Sequence, residues 1–149
     1  MSTASAARPL APSTGLLGVV LAAAVAAVTL AVVLQPTEGW AGVLTAGLYG
    51  TTLALGGALF LAIQVVSGAR WWFPLRRVPL RLARTLPVPL AAVGLALALG
   101  LGTLYPWARS AVVEASPLLQ AKHAWLNPPL FLARAVGLAI AWLALVGAL

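Results

Sequence analysis

The stretch GARWWFPLRRVPLRLARTLPVP, residues 68–89, constrains the fold of this chain more than any other. It holds Arg70, Arg76, Arg77, Arg81 and Arg84, which are five of the chain's nine basic residues, together with no acid, and long apolar runs lie on both sides of it. An arginine at mid-depth in a bilayer costs about 2.5 to 3.5 kcal/mol on insertion scales. The stretch therefore belongs at a membrane surface, and its charge says which one. Its flanks place it there: the chain is 62% hydrophobic and 7% charged, against about 25% charged residues in a soluble domain. Too little polar surface remains to coat a water-soluble globule, so an integral membrane protein is expected. A net charge of +7 in a soluble chain would point to nucleic acid. Here the basic residues sit beside apolar spans, where anionic headgroups and the positive-inside rule account for them, and no nucleic-acid partner is expected.

Taken in order, residues 1–13 are rich in Ala, Ser and Pro with Arg8 as the one charge, and read as a flexible tail. Residues 15–35 form an uncharged run, about the 20 residues that cross a bilayer. The run exceeds the core of about 7 to 15 residues in a signal peptide and follows no strongly basic start, so a retained span is expected. Residues 36–39 read as a tight connection, with Glu38 and then Trp40 at interface height. A second span is expected at 41–66, where Gly42, Ala46 and Gly50 form a row that invites a close neighbour. After the arginine stretch a third span is expected at 89–104, with small residues in two rows: Gly94, Ala98, Gly102 and Ala92, Ala96, Gly100. Residues 108–127 form a second polar connection, divided by Pro117, and Asn127 before Pro128 and Pro129 is a helix-start signal. A fourth span is expected at 130–149. It ends in Gly-Ala-Leu with no polar tail, which reads as the front of a longer protein.

Residues 14–149 are thus expected to form one all-α membrane domain, a four-helix up-down bundle. The connection between spans two and three carries five arginines, whereas that between three and four carries Arg109 and Lys122 offset by Glu114. The positive-inside rule then puts the arginine stretch, and with it both termini, on the cytoplasmic side.

Few residues can carry chemistry. The chain has no cysteine, one histidine and two acids, so no metal site and no bis-histidine haem are expected, and any redox chemistry belongs to a partner or a diffusible ligand. Arg134 lies two turns into the fourth span. It reads either as a snorkelling side chain that returns to the headgroups, or as a cation facing the bundle that polarises a quinone carbonyl or orders water. His123, beside Lys122, reads either as an interfacial hydrogen-bonding group or as the acceptor of a proton released by a quinol. Tyr49, Thr51, Thr52 and Gln64 read as interhelical hydrogen-bonding groups, with Tyr49 also a candidate on a proton path. Trp71, Trp72 and Phe73 beside Arg76 and Arg77 read as a headgroup-level belt and as a contact surface for another subunit or an anionic lipid.

Two stretches carry a resemblance. RWWFPLRRVPLRLARTLPV and KHAWLNPPLFLARAVGLAIAW look like the opening third of the F subunit of alternative complex III, the quinone-binding subunit 2, which is a polysulfide-reductase-like membrane protein. The matching positions are Trp71 or Trp72, Arg76 and Arg77, then Lys122, Leu126, Asn127, Phe131, Arg134 and Trp142. Trp125 stands where the family usually has tyrosine, Leu130 where it has an aromatic residue, and Leu80 where it has a glutamate. The resemblance implies a cofactor-free bacterial inner-membrane subunit of a quinol:electron-acceptor oxidoreductase, with menaquinol as a diffusible ligand. It also implies iron–sulfur and haem-c subunits as partners, and a role in scaffolding or in a quinone or proton path. The rival expectation is a small non-redox membrane protein: a scaffold, an assembly factor or a transporter.

Overall fold

The computed structural model describes residues 14–148, so the tail expected at residues 1–13 lies outside the described residues. Among these the structure is all helix, without strands. The helices are α1 (Thr14–Leu34), α2 (Pro36–Val66), α3 (Arg77–Arg84), α4 (Pro87–Leu104), α5 (Ser110–Glu114), α6 (Pro117–Ala121) and α7 (Pro128–Gly147), with 3-10 turns at Phe73–Leu75 and Pro106–Ala108. Four stretches are long and apolar enough to cross a membrane: Gly15–Leu34, Pro36–Val66, Phe73–Leu104 and Pro128–Gly147. Helix is the open-ended solution for such runs, because it satisfies every backbone polar group within the segment.

The expected connection at 36–39 is helix. Gln35 alone separates α1 from α2: its N–H donates to the Ala31 carbonyl at 2.9 Å, and its own carbonyl accepts from the Gly39 N–H at 2.8 Å. Pro36 suits the first helical turn, where its missing N–H is not needed, and Glu38 complements the positive end of the helix dipole. Gly39 makes the hairpin this tight, since a Cβ there would come within 2.6 Å of the Val32 backbone.

Starting at Pro36 gives α2 31 residues, about 46 Å of helix, against 21 residues and about 31 Å for α1. From a one-residue turn, α1 can accompany α2 only to about residue 56. The last ten or so residues of α2 overshoot by about 15 Å.

The arginine stretch uses this overshoot. It was expected to lie as a surface connection, but it folds back as an upright helix, α3, against the last turns of α2. Gly57 makes room: a Cβ there would meet the Pro79 carbonyl oxygen at 2.7 Å and the Ala83 nitrogen at 3.2 Å. Ala83 and Leu86 are fully buried. Two residues, Thr85 and Leu86, join α3 to α4, where Pro87 and Pro89 supply no N–H. The carbonyls of Ala83 and Thr85 accept instead from Leu86 and Val88 at 3.1 and 3.0 Å, which tightens the junction.

From Phe73 to Leu104 the chain therefore runs antiparallel to the whole of α2. Close approaches mark its length: Gly57 against Pro79, Gly50 against Pro89, Gly47 against Val93, and Gly100 beneath the Trp40 ring. The face of α2 that packs here is Gly47, Thr51, Ala54, Ala58 and Leu61, all buried. Of the row expected from the sequence, Gly42–Ala46–Gly50, only Gly50 reaches this contact, against Pro89. Gly42 and Ala46 border a groove toward α1, and a Cβ at Gly42 would meet nothing within 4 Å. On α4, Ala96 and Gly100 of one expected row are buried, whereas Gly94 and Gly102 of the other stand open.

Hydrogen bonds contribute little to this contact. Thr52 donates to the Leu48 carbonyl of its own helix at 2.9 Å, and the Thr51 hydroxyl, 3% exposed, has no partner among the described residues. Close packing of small residues holds the hairpin, as is usual where lipid removes the hydrophobic drive between helices. Outside it, α1 packs on α2 and α7 on α4. Neither membrane-length stretch buries a residue.

Candidate functional site

The candidate residues fall at opposite ends of the α2–α4 hairpin. At the end of α2, Gly68 adopts φ +63°, a left-handed conformation that glycine takes without strain, and the chain reverses there. Trp72 closes the turn: it is buried, its indole N–H donates to the Ala69 carbonyl at 2.7 Å, and its ring lies 5.7 Å from that of Phe73. The Arg76 guanidinium sits over the Phe73 ring, 4.7 Å from its centre. Trp71 and Arg77 are exposed.

On α3, Arg77, Arg81 and Arg84 recur at i, i+4 and i+7 and face outward, opposite the buried Ala83. That spacing is a helix signal legible in the sequence, and it could have replaced the surface connection with an amphipathic helix. All five arginines of the stretch are exposed. None makes a side-chain hydrogen bond or ion pair with another described residue. Arg76, Arg77 and Trp72, with Leu61, Val65 and Leu80, border a groove of about 300 Å³.

At the other end, rings join α4 to α7. Tyr105, Trp107 and Phe131 lie pairwise 5.2 to 5.9 Å apart, which ties the first turn of α7 to the end of α4. Asn127 caps α7, its Oδ1 accepting from the Leu130 N–H at 2.9 Å while its Nδ2 donates to the His123 carbonyl at 3.1 Å. Arg134 turns back toward the start of its helix. It donates to the Trp125 carbonyl at 2.7 Å and to the Leu130 carbonyl at 3.3 Å, with its guanidinium 4.4 Å from the centre of the Trp125 ring. This is the geometry of a snorkelling arginine. Beside it runs an apolar groove of about 470 Å³ bordered by Trp125, Leu126, Phe131, Ala135 and Leu138. Sequence reading assigned Arg109 no role beyond its charge. It closes the end of α4, donating to the Gly102 and Thr103 carbonyls at 2.6 and 3.4 Å.

The structure thus gathers Arg134, Trp125, Asn127 and Phe131 into one unit. Lys122 and His123 are exposed on the preceding connection, and no hydrogen bond joins their side chains to Arg134. Tyr49 belongs elsewhere. It is 73% exposed and borders an apolar groove of about 560 Å³ between α2 and α3, with Thr52, Gly56, Phe60, Val78 and Leu82. Among the described residues, no three of His, Cys, Asp and Glu come together. Comparison of the chain with protein families, with curated proteins and with solved structures finds no match.

Proposed function

We propose that the chain is a cofactor-free membrane subunit of a quinol-oxidising respiratory complex of the alternative complex III type, in a bacterial inner membrane. In this reading the four membrane-length stretches form an up-down bundle, with the arginine end and both chain termini on the cytoplasmic side, where the positive-inside rule puts them. The observation that carries the reading is the entrance to α7. The residues on which the resemblance rests are each held there: Asn127 caps the helix, Phe131 packs against Tyr105 and Trp107, and Arg134 bonds the Trp125 carbonyl. The groove beside them is apolar except for the Arg134 guanidinium, which is the chemistry that borders a quinol head and its tail. His123, exposed one turn before α7, stands at the same end as the candidate acceptor of a quinol proton. Electrons would pass to iron–sulfur and haem-c subunits.

One observation favours the rival, a non-redox scaffold or assembly factor. Both hydrogen bonds of Arg134 end on backbone carbonyls, so the side chain is already employed in holding the helix start. Purification in mild detergent separates the two. The respiratory reading expects haem-c absorbance and iron–sulfur subunits to migrate with the tagged chain, and a chain that always migrates alone sinks it. Within such a complex, Arg134→Leu is expected to lower the yield or the quinol turnover. Unchanged yield and turnover would leave Arg134 with the snorkelling role alone.

A further inference from the structure

The five arginines of the α2–α3 end have no acidic side chain beside them. The chain's two acids are Glu38, at the start of α2, and Glu114, in α5 beyond α4; both belong to the opposite end. Uncompensated guanidinium groups this close together repel, and they attract an anion from outside. Two of them border a defined groove. Arg76 is held over Phe73, Arg77 begins α3, and Trp72, Leu61, Val65 and Leu80 complete the walls, so that charge lies beside apolar surface.

The height of this groove is fixed by the packing. The start of α1 lies level with about residue 56 of α2, so Leu61 and Val65 stand roughly 7 to 14 Å beyond the end of a helix just long enough for the hydrocarbon. The groove therefore lies on the polar side of the hydrocarbon edge. The surface between the arginines is apolar as well: Trp71, Phe73, Leu75 and Val78 are each more than half exposed. An acidic protein surface would leave those side chains against a polar partner. A lipid satisfies both, with its phosphate on the guanidiniums and its glycerol and chains beside the rings.

We propose that the groove of Arg76, Arg77 and Trp72 is a binding site for one anionic phospholipid, its phosphate held by the two guanidiniums and its glycerol lying along Leu61, Val65 and Leu80. The site does not depend on the respiratory reading above, since it is complete in this chain.

The test uses the full chain in mild detergent, titrated with phosphatidylglycerol or phosphatidylcholine and followed by native mass spectrometry. Phosphatidylglycerol is expected to bind the wild type in preference to phosphatidylcholine. In R76Q/R77Q it is expected to bind about thirtyfold more weakly, from the loss of two basic contacts at a membrane surface. R81Q/R84Q removes the same charge from the outward face of α3 and is expected to bind as the wild type does. Equal weakening in both pairs would mean a diffuse field with no site. Equal binding of the two lipids, displacement of phosphatidylglycerol by inorganic phosphate at the same concentration, or an acidic protein captured through Arg76 and Arg77 while the lipid affinity of R76Q/R77Q stays unchanged would each overturn the proposal. A second measurement needs no variant. Phosphatidylglycerol with a photoreactive group beside its phosphate is expected to label the wild type at Leu61, Val65, Trp72 or Leu80, and labelling elsewhere refutes the site.

Discussion

The two ends of the α2–α4 hairpin both carry arginines over aromatic rings, Arg76 over Phe73 at one and Arg134 over Trp125 at the other. They use the charge in opposite ways. At the α4–α7 end, Arg109 and Arg134 give their N–H groups to main-chain carbonyls, closing the end of one helix and bracing the start of the next. Arg109 so placed finishes the backbone's own hydrogen bonding where the end of α4 leaves carbonyls without helical partners, and Arg134 ties its helix to the preceding connection. At the α2–α3 end, the glycine contact at position 57 and the buried Trp72, Ala83 and Leu86 hold the fold, and the five arginines are left outward. The same residue type is therefore structural at one end and available to a ligand at the other. The difference is that the side chains at one end reach main-chain carbonyls, whereas among the described residues those at the other end do not.

Substitutions can break this contrast. The largest effect is expected from Gly57→Leu, whose side chain would collide with the Pro79 carbonyl and separate α3 from α2. It is expected to lower stability by about 3 kcal/mol, read as an earlier thermal midpoint and a lost monodisperse peak in detergent. Gly56→Leu, one residue away with open space around it, is expected to leave both unchanged. Next comes Arg134→Leu, expected to cost about 1.5 kcal/mol through the lost carbonyl and ring contacts. Arg81→Leu, exposed and without a partner, is expected to change stability by less than about 0.5 kcal/mol. Equal midpoints for these two arginine variants would erase the distinction between the ends. An effect between those two is expected from Asn127→Ala, which removes the cap of α7 at a cost of about 1 kcal/mol. Faster amide exchange confined to the first turn of α7 would sharpen the view that this end is held by local bonds.

The four membrane-length helices were legible because each is a long apolar run bounded by proline, glycine or charge. The cap at Asn127 was legible too, since a capping side chain followed by Pro128 and Pro129 is a local signal that needs no tertiary context. The packing faces were not. In α2 and α4 every side is apolar, so no polar stripe marks the outside, and glycines and alanines form rows in several directions at once. Gly42 and Gly47 look alike in sequence, and only the structure shows that the second meets Val93. At the candidate site, the partnership of Arg134 with Trp125 spans nine residues across a turn and a helix start, beyond any periodic pattern. Arg109 was missed for the same reason, because its partners are carbonyls, which no side-chain pattern records.

The one-residue turn at Gln35 also bears on how such a chain enters a bilayer. α1 and the start of α2 meet with almost no backbone left outside helix, so during biosynthesis the two can thread as a preformed hairpin. The tip of that hairpin bears a single charged side chain, Glu38. The opposite tip would have to drag five guanidiniums through hydrocarbon, at about 2.5 to 3.5 kcal/mol for each at mid-depth. One direction of threading is cheap and the other is closed.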